Sequence, residues 1–85
     1  MPYIEQKDRK EIDTIISSLL LYLDSTSAGQ LNYIITRILH QAITTENYAR
    51  YNELMGVLEC TKLELYRRQI ALYENRKIQE NGDVD

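Results

Sequence analysis

Apolar side chains recur at helical spacing along the chain, and short polar segments separate the recurring runs. In the first run the apolar positions are Ile12, Ile15, Ile16, Leu19, Leu20 and Leu23. In the second run they are Leu31, Ile34, Ile35, Ile38, Leu39 and Ala42. Because an α-helix completes one turn in about 3.6 residues, this spacing predicts two amphipathic helices, at about residues 8–23 and 28–43.

Polar residues ahead of these two runs predict where the helices begin. Asp8 and Glu11 have the three-residue spacing of a capping box, and Ser27 and Gln30 have the same spacing in its serine and glutamine form. Residues 1–7 are then expected to be a short extended lead-in to the first helix.

A third run, at about residues 46–78, is the longest, and the rest of the chain is organised around it. It contains no proline and one glycine, Gly56, and we expect Thr44 or Thr45 to cap it. Its apolar face is predicted to consist of Tyr48, Tyr51, Leu54, Met55, Leu58, Leu65, Tyr66, Leu72 and Tyr73. With residues 79–85 as a polar tail, the predicted fold is a single all-α domain: a helical hairpin plus one long helix.

The unequal helix lengths predict an assembly of several chains. At 1.5 Å per residue the first two helices are each about 24 Å long and the third is about 45 Å long, so the hairpin covers only half of the long helix. The uncovered half carries an apolar strip, consisting of Tyr66, Ile70, Leu72, Tyr73 and Ile78. Since such strips usually mark association surfaces, we expect an obligate homo-oligomeric bundle, either a twofold dimer or a larger assembly of such dimers.

Composition narrows the classes of partner. A chain of 85 residues buries only about 60–65% of its unfolded surface, so its core is marginal without a partner. Seven tyrosines with no phenylalanine or tryptophan suit interfaces and wet pockets. A net charge of −3 argues against sequence-specific nucleic-acid binding. No apolar run approaches the roughly 20 residues of a membrane helix, so we expect a cytoplasmic protein without a membrane partner.

Residues that could carry catalysis are few. His40 is the one histidine, and neither a zinc-ligand spacing nor a glycine-rich phosphate loop is present. Glu59 and Cys60 are adjacent in the long helix and therefore point about 100° apart, which prevents them from acting as base and nucleophile. Cys60 is expected to be a buried, reduced thiol. We predict a protein that is not an enzyme and uses no metal or cofactor.

The candidate ligand-binding residues are polar and aromatic side chains of the long helix. They are Tyr48, Arg50, Tyr51, Asn52, Glu59, Lys62, Tyr66, Arg67 and Arg68. The tyrosines offer faces on which a base can stack, and the arginines offer forked donors to a phosphate. Glu64 precedes Arg67 and Arg68 at a favourable spacing for ion pairs on a helix.

Two polar groups have alternative interpretations. Glu59 and Lys62 interrupt the apolar face, and they either pair to fix the register of the oligomer or line a wet cavity between subunits. On the second helix a polar line is formed by Asn32, Thr36 and His40. This line is either plain exterior or a second wall of the same pocket.

Segments along nearly the whole chain resemble a family of short, uncharacterised proteins encoded by phages and prokaryotes. The segments are residues 31–37 (LNYIITR), 47–53 (NYARYNE), 56–60 (GVLEC), 66–68 (YRR) and 80–84 (ENGDV). The resemblance implies a small standalone protein in a phage setting, and it implies no activity. Asp85 stands where the family is expected to have a tyrosine.

Two functions fit these observations. In the first, the oligomer sequesters a small anionic, nucleotide-like signalling molecule between its subunits, in the style of anti-defence sponges built from small helical oligomers. In the second, the protein is an interaction module that inhibits or regulates a host protein and binds no small molecule. The clustered tyrosines and arginines favour the first function, and the acidic net charge favours the second.

Overall fold

The computed structural model describes residues 4–85, and the regular structure in that part of the chain is all helical. The helices are α1 (Gln6–Tyr22), α2 (Ala28–Gln41), α3 (Tyr48–Leu65) and α4 (Ala71–Asn81). A 3-10 turn, Leu23–Ser25, follows α1, and a π-helical turn, Tyr66–Ile70, joins α3 to α4. The predicted all-α class with three helical stretches is confirmed, and α3, the π-turn and α4 together form the long helix, residues 48–81.

The start of α1 differs from the expectation. Asp8 and Glu11 do not form a capping box, because the residue at the cap position is Glu5, whose side chain makes no capping hydrogen bond. The backbone N–H of Asp8 donates to the Glu5 carbonyl oxygen over 3.0 Å, so Asp8 already lies in the first turn. A carboxylate there still favours the helix through its dipole. Residues 1–3 of the predicted lead-in lie outside the described residues.

The start of α2 is as expected. Ser27 Oγ accepts a hydrogen bond from the backbone N–H of Gln30 over 3.2 Å. In return Gln30 Oε1 accepts one from the backbone N–H of Ser27 over 2.8 Å. The predicted capping box is therefore confirmed, and it satisfies two backbone donors that the helix cannot satisfy itself.

Removing this cap should have a measurable cost. We expect Ser27→Ala to lower the free energy of unfolding by about 1 kcal/mol, because the Gln30 backbone N–H loses its acceptor. Urea unfolding at a fixed chain concentration would measure the change. Ser18→Ala, an equivalent change at an exposed position within α1, should not destabilise the protein, and an equal loss in both variants would contradict the capping role.

The long helix begins and ends at residues that the sequence did not indicate. Its cap is Asn47, whose Oδ1 accepts from the backbone N–H of Arg50 over 3.2 Å, whereas Thr44 and Thr45 lie in the irregular link before it. Asparagine is among the best capping residues, which explains the preference. The helix ends three residues later than expected, at Asn81, and is followed by Gly82, whose φ of 86° suits glycine and few other residues.

The predicted packing of a hairpin on the long helix is not present within a single chain. Among the described residues, extensive contacts join only consecutive segments: α1 with its 3-10 turn, and the π-turn with α3 and α4. Thr26 and Ser27 have extended backbone, and they carry α2 away from α1. As a result, none of the described side chains is buried.

One hydrogen bond fixes the corner between α2 and the long helix. Arg50 Nε donates to the backbone carbonyl of Ala42, just after α2, over 3.1 Å. Three residues close to this corner in the sequence are half-buried: Ile43, Tyr51 and Leu54. The side chain of Arg50 therefore sets the direction in which α3 leaves α2.

The single chain exposes a large surface for its mass. Its accessible area is 7883 Å². A compact monomer of 10.0 kDa is expected to expose about 5,200 Å². The excess of about 2,600 Å² per chain corresponds to the upper range of obligate interfaces. The predicted apolar strip on the second half of the long helix is confirmed as exposed, and it contributes to this excess.

Candidate functional site

The predicted ligand-binding residues fall into two groups on the long helix, with a charged pair between them. The first group lies in the first turns of α3 and consists of Tyr48, Arg50, Tyr51 and Asn52. The second lies in the π-turn and consists of Tyr66, Arg67 and Arg68. The rise from Arg50 to Arg67 is about 25 Å, which is longer than a small nucleotide. Within one chain, the two groups cannot hold the same small ligand.

In the first group, the arginine already has a structural partner. Arg50 Nε is committed to the Ala42 carbonyl, so the fork expected to bind phosphate instead holds the corner between α2 and α3. Tyr48 is the most open aromatic side chain of the long helix, with 86% of its surface exposed. Tyr51 is half-buried and Asn52 is exposed. Tyr48 is therefore the side chain of this group best placed for stacking.

In the second group, two arginines share one carboxylate. Arg67 Nη2 donates to Glu64 Oε2 over 2.9 Å, and Arg68 Nε donates to Glu64 Oε1 over 2.8 Å. The expected ion pairs are confirmed, and we term these three residues the arginine cluster. Two guanidinium groups against one carboxylate leave a formal charge of +1. A phosphate approaching the cluster must compete with Glu64 for the arginines.

The π-turn begins at Tyr66, the aromatic residue that precedes the two arginines in the sequence. The backbone N–H of Ala71 donates to the carbonyl of Tyr66, five residues earlier, which inserts one residue into the helix. Tyr66 and Glu74 would be about 80° apart on an unbroken α-helix, and the insertion brings them into line. Tyr66 Oη donates to Glu74 Oε1 over 2.8 Å. The hydroxyl of Tyr66 is thus directed along α4.

This hydrogen bond changes the acidity of the phenol. The hydrogen bond to Glu74, the negative charge of that carboxylate and slight desolvation together raise the pKa of Tyr66 above its ordinary value of 10.0. Because the pKa is raised in the folded chain, the interaction stabilises the fold below about pH 10 and is lost as pH rises through the folded-state pKa.

We expect Glu74→Gln to lower the pKa of Tyr66 towards its ordinary value, since the carboxylate charge is removed. An absorbance titration of tyrosinate would measure the shift, with a Tyr66→Phe variant used to subtract the other six tyrosines. Glu80→Gln, a matched change at an exposed glutamate that pairs with Lys77, should leave the Tyr66 curve unchanged. An identical curve for wild type and Glu74→Gln would contradict the assignment.

The charged pair between the two groups is formed as expected. Lys62 Nζ lies 3.4 Å from Glu59 Oε1, and both side chains are exposed. An exposed pair of this kind contributes about 1 kcal/mol or less. The geometry is compatible with both earlier interpretations, a determinant of register and a wet cavity wall.

Replacing either member of this pair distinguishes the two interpretations. If the pair fixes register, Glu59→Leu or Lys62→Leu should leave the unfolding free energy unchanged or higher while altering the oligomer state. Urea unfolding and sedimentation velocity would measure the two quantities. A loss of ligand binding with an unaltered oligomer would instead favour the cavity wall.

The remaining candidates are at the surface of the chain. On α2, Thr36 Oγ1 donates to Asn32 Oδ1 over 3.4 Å, and His40 is exposed one turn later. Cys60 is exposed, so the prediction of a buried thiol is wrong for the single chain. Within residues 4–85 no group of three or more His, Cys, Asp or Glu side chains could hold a metal ion.

A shallow groove runs along α4 and does not unite the predicted residues. Its lining includes Tyr66, Glu74, Ile78 and Val84. Arg50, Arg67 and Arg68 are outside that lining. This groove therefore does not combine the stacking and phosphate-binding groups.

A family model described as a domain of unknown function, DUF6899, matches residues 1–84. The chain belongs to this family. Membership of DUF6899 confirms the resemblance to short uncharacterised proteins, while the phage setting stays a prediction. No curated protein and no solved structure matches the chain. In the part of this DUF6899 protein that the structure describes, no helix is long and apolar enough to cross a membrane.

Proposed function

We propose that this DUF6899 protein is a non-enzymatic homo-oligomer of the cytoplasm that sequesters a small anionic, nucleotide-like ligand between its subunits. In a phage setting this would be an anti-defence sponge. The observation that carries the proposal is the arginine cluster, where Glu64 holds two guanidinium groups at the π-turn that begins with Tyr66. Arginine side chains bind phosphate, and tyrosine side chains stack with bases.

The surface of α3 supports the oligomer. Met55, Val57 and Leu63 lie on three different sides of α3, and each is more than half exposed. A helix with exposed apolar side chains on more than one side is expected to be covered on more than one side. Together with the excess area of the chain, this favours a central position for α3 in an assembly, with ligand pockets at the junctions between chains.

The ligand can be found by its effect on stability. A thermal-shift screen of cyclic dinucleotides and ADP-ribose derivatives should show a raised melting temperature for at least one compound. A ligand present at 100 times its Kd stabilises the folded form by about 2.7 kcal/mol. Calorimetry with the purified oligomer would then give the stoichiometry, and a ratio near one ligand per chain or per pair of chains is expected.

A second candidate is supported by the acidic surface. The net charge is −3, and the end of the chain carries Glu80, Asp83 and Asp85 close together. Such a surface suits an inhibitor that covers the basic site of a host protein. If none of the nucleotides binds, and a purified host protein binds in a manner that weakens with added salt, this interaction module becomes the better description.

A further inference from the structure

The exposed face of α3 has the spacing of a coiled-coil seam. Side chains separated alternately by three and four residues repeat in the same order as the a and d positions of a heptad. We term them the seam: Tyr48, Tyr51, Met55, Leu58, Lys62 and Leu65. Tyr51 is half-buried and the others are exposed, with Met55 at 66%. Within its own chain, the seam therefore lacks a cover.

The area of the chain indicates what covers the seam. An excess of about 2,600 Å² per chain is more than one small docked peptide would remove, and it matches the surface that each subunit of an obligate dimer loses. A second copy is the one partner that every chain meets. The charges at the middle of the seam are also self-complementary, since Glu59 and Lys62 have opposite signs and lie close together.

We propose that two copies pair antiparallel through this seam, with the twofold axis passing near residue 60. In this register Leu58 lies opposite the partner's Lys62, and Met55 lies opposite the partner's Leu65. Each Lys62 is then flanked by Glu59 of its own chain and by the partner's Glu59, which gives a neutral cluster of four charges on the axis. A parallel pair would instead place the two Lys62 side chains against each other, which is unfavourable.

The antiparallel register brings the two groups of candidate ligand residues together. The first turns of α3, with Tyr48, Tyr51 and Asn52, stand against the π-turn of the other copy, the segment that carries the partner's Arg68. Each dimer has two such junctions, one at each end. This inference rests on the proposed function. The ligand site is then composite, because one copy supplies the tyrosines for stacking and the other copy supplies the arginine that binds phosphate.

Disulfide trapping tests the pairing without any ligand. Met55→Cys and Leu65→Cys are made separately on a Cys60→Ser background and are then refolded together. When both variants are present, oxidation should link at least half of the mixed dimers by a disulfide bond. Either variant alone should give little covalent dimer. Covalent dimers of Met55→Cys alone would show a parallel pair, and no trapping in any mixture would overturn the seam as the interface.

Two controls keep the trapping result decisive. Circular dichroism before oxidation should show the same helical content in both variants as in wild type. If either variant does not fold, the pair is replaced by Leu58→Cys and Lys62→Cys, which tests the same register. In the wild type, Cys60 lies on the far side of α3 from the seam. Ready formation of a Cys60 disulfide between wild-type chains would place the interface on that other face and contradict the proposal.

Mixing two defective variants tests the composite site. Tyr48→Ala and Arg68→Ala should each bind the ligand found in the screen at least ten-fold more weakly than wild type. After co-refolding, a random mixture of dimers should regain about a quarter of the wild-type sites, because each mixed dimer has one junction with both residues intact. No recovery would place the site within one chain. If the screen finds no ligand, the proposed function fails while the trapping result still decides the pairing.

Discussion

Leu58→Asp should turn a folded oligomer into a largely unfolded chain. Leu58 lies near the middle of the seam, opposite the partner's Lys62, and two new carboxylates there would give the neutral cluster of four charges on the axis a net charge of −2. Each change is expected to cost about 2 kcal/mol or more, the scale of an interface hot spot. Because no described side chain is buried within one chain, little remains to hold the helices once the chains separate. Sedimentation velocity and circular dichroism at micromolar concentration would measure both losses.

The control for this prediction carries the same charge elsewhere. Val84 is 97% exposed beyond the end of α4, so Val84→Asp should leave mass and helical content unchanged. In wild type the melting temperature should rise with chain concentration, as it does when folding is coupled to association. A folded wild-type species sedimenting with the 10.0 kDa mass of one chain would show that assembly is not required.

Arg68→Ala should weaken ligand binding strongly, because Arg68 is one of the two arginines of the cluster. Removal of one guanidinium takes the arginine cluster from a formal charge of +1 to neutral and removes a fork that can bind phosphate. The expected loss is about 1.5 to 3 kcal/mol, or roughly a ten- to 150-fold increase in Kd. Arg68→Lys should restore little of the affinity, because an ammonium group does not reproduce the planar fork. Calorimetry with the ligand found by thermal shift would measure these changes.

Two matched variants separate charge from geometry. Arg76→Ala removes an arginine of α4 that lies 6.0 Å from the ring of Tyr73, and it should leave the Kd within about two-fold of wild type if only the cluster binds phosphate. Glu64→Gln removes the carboxylate that competes for both arginines, so it should tighten binding. Weaker binding in Glu64→Gln would show that Glu64 is needed chiefly to hold the arginines in place.

Local signals predicted the helices well and their starts less well. Apolar spacing placed all three helical stretches, and the reciprocal hydrogen bonds of Ser27 and Gln30 were predictable because both partners are close in sequence. Asp8 has the same spacing to Glu11, yet the helix extends past it to Gln6. A capping box requires extended backbone at its first residue, and the side chains alone do not determine that backbone.

The π-turn was not predicted, although one weak signal was present. On an unbroken α-helix Ile78 lies about 120° from Tyr66, and it comes into line with Tyr66 only if one residue is inserted between them. The sequence offers no reason to insert that residue at Tyr66–Ile70 rather than elsewhere. The hydrogen bond between Tyr66 and Glu74 could therefore not be predicted from the sequence.

The chemistry of the candidate site was predictable, whereas its distribution in space was not. The residue types and the Glu64 ion pairs followed from spacing on one helix. That Arg50 is committed to the Ala42 carbonyl depends on how two helices meet at a corner, which no local pattern specifies. The described helices share no core within the chain, so no intrachain packing fixes their relative placement.

If the chain folds only on pairing, as proposed, the absence of buried side chains among residues 4–85 has a consequence for the cell. A chain that folds upon meeting a second copy accumulates at a rate that depends on the square of its concentration, so folded protein should appear abruptly once synthesis passes a threshold. Below that threshold, unassembled chains are open to proteases along most of their length. A short burst of strong expression should therefore yield more folded protein than the same number of chains made slowly.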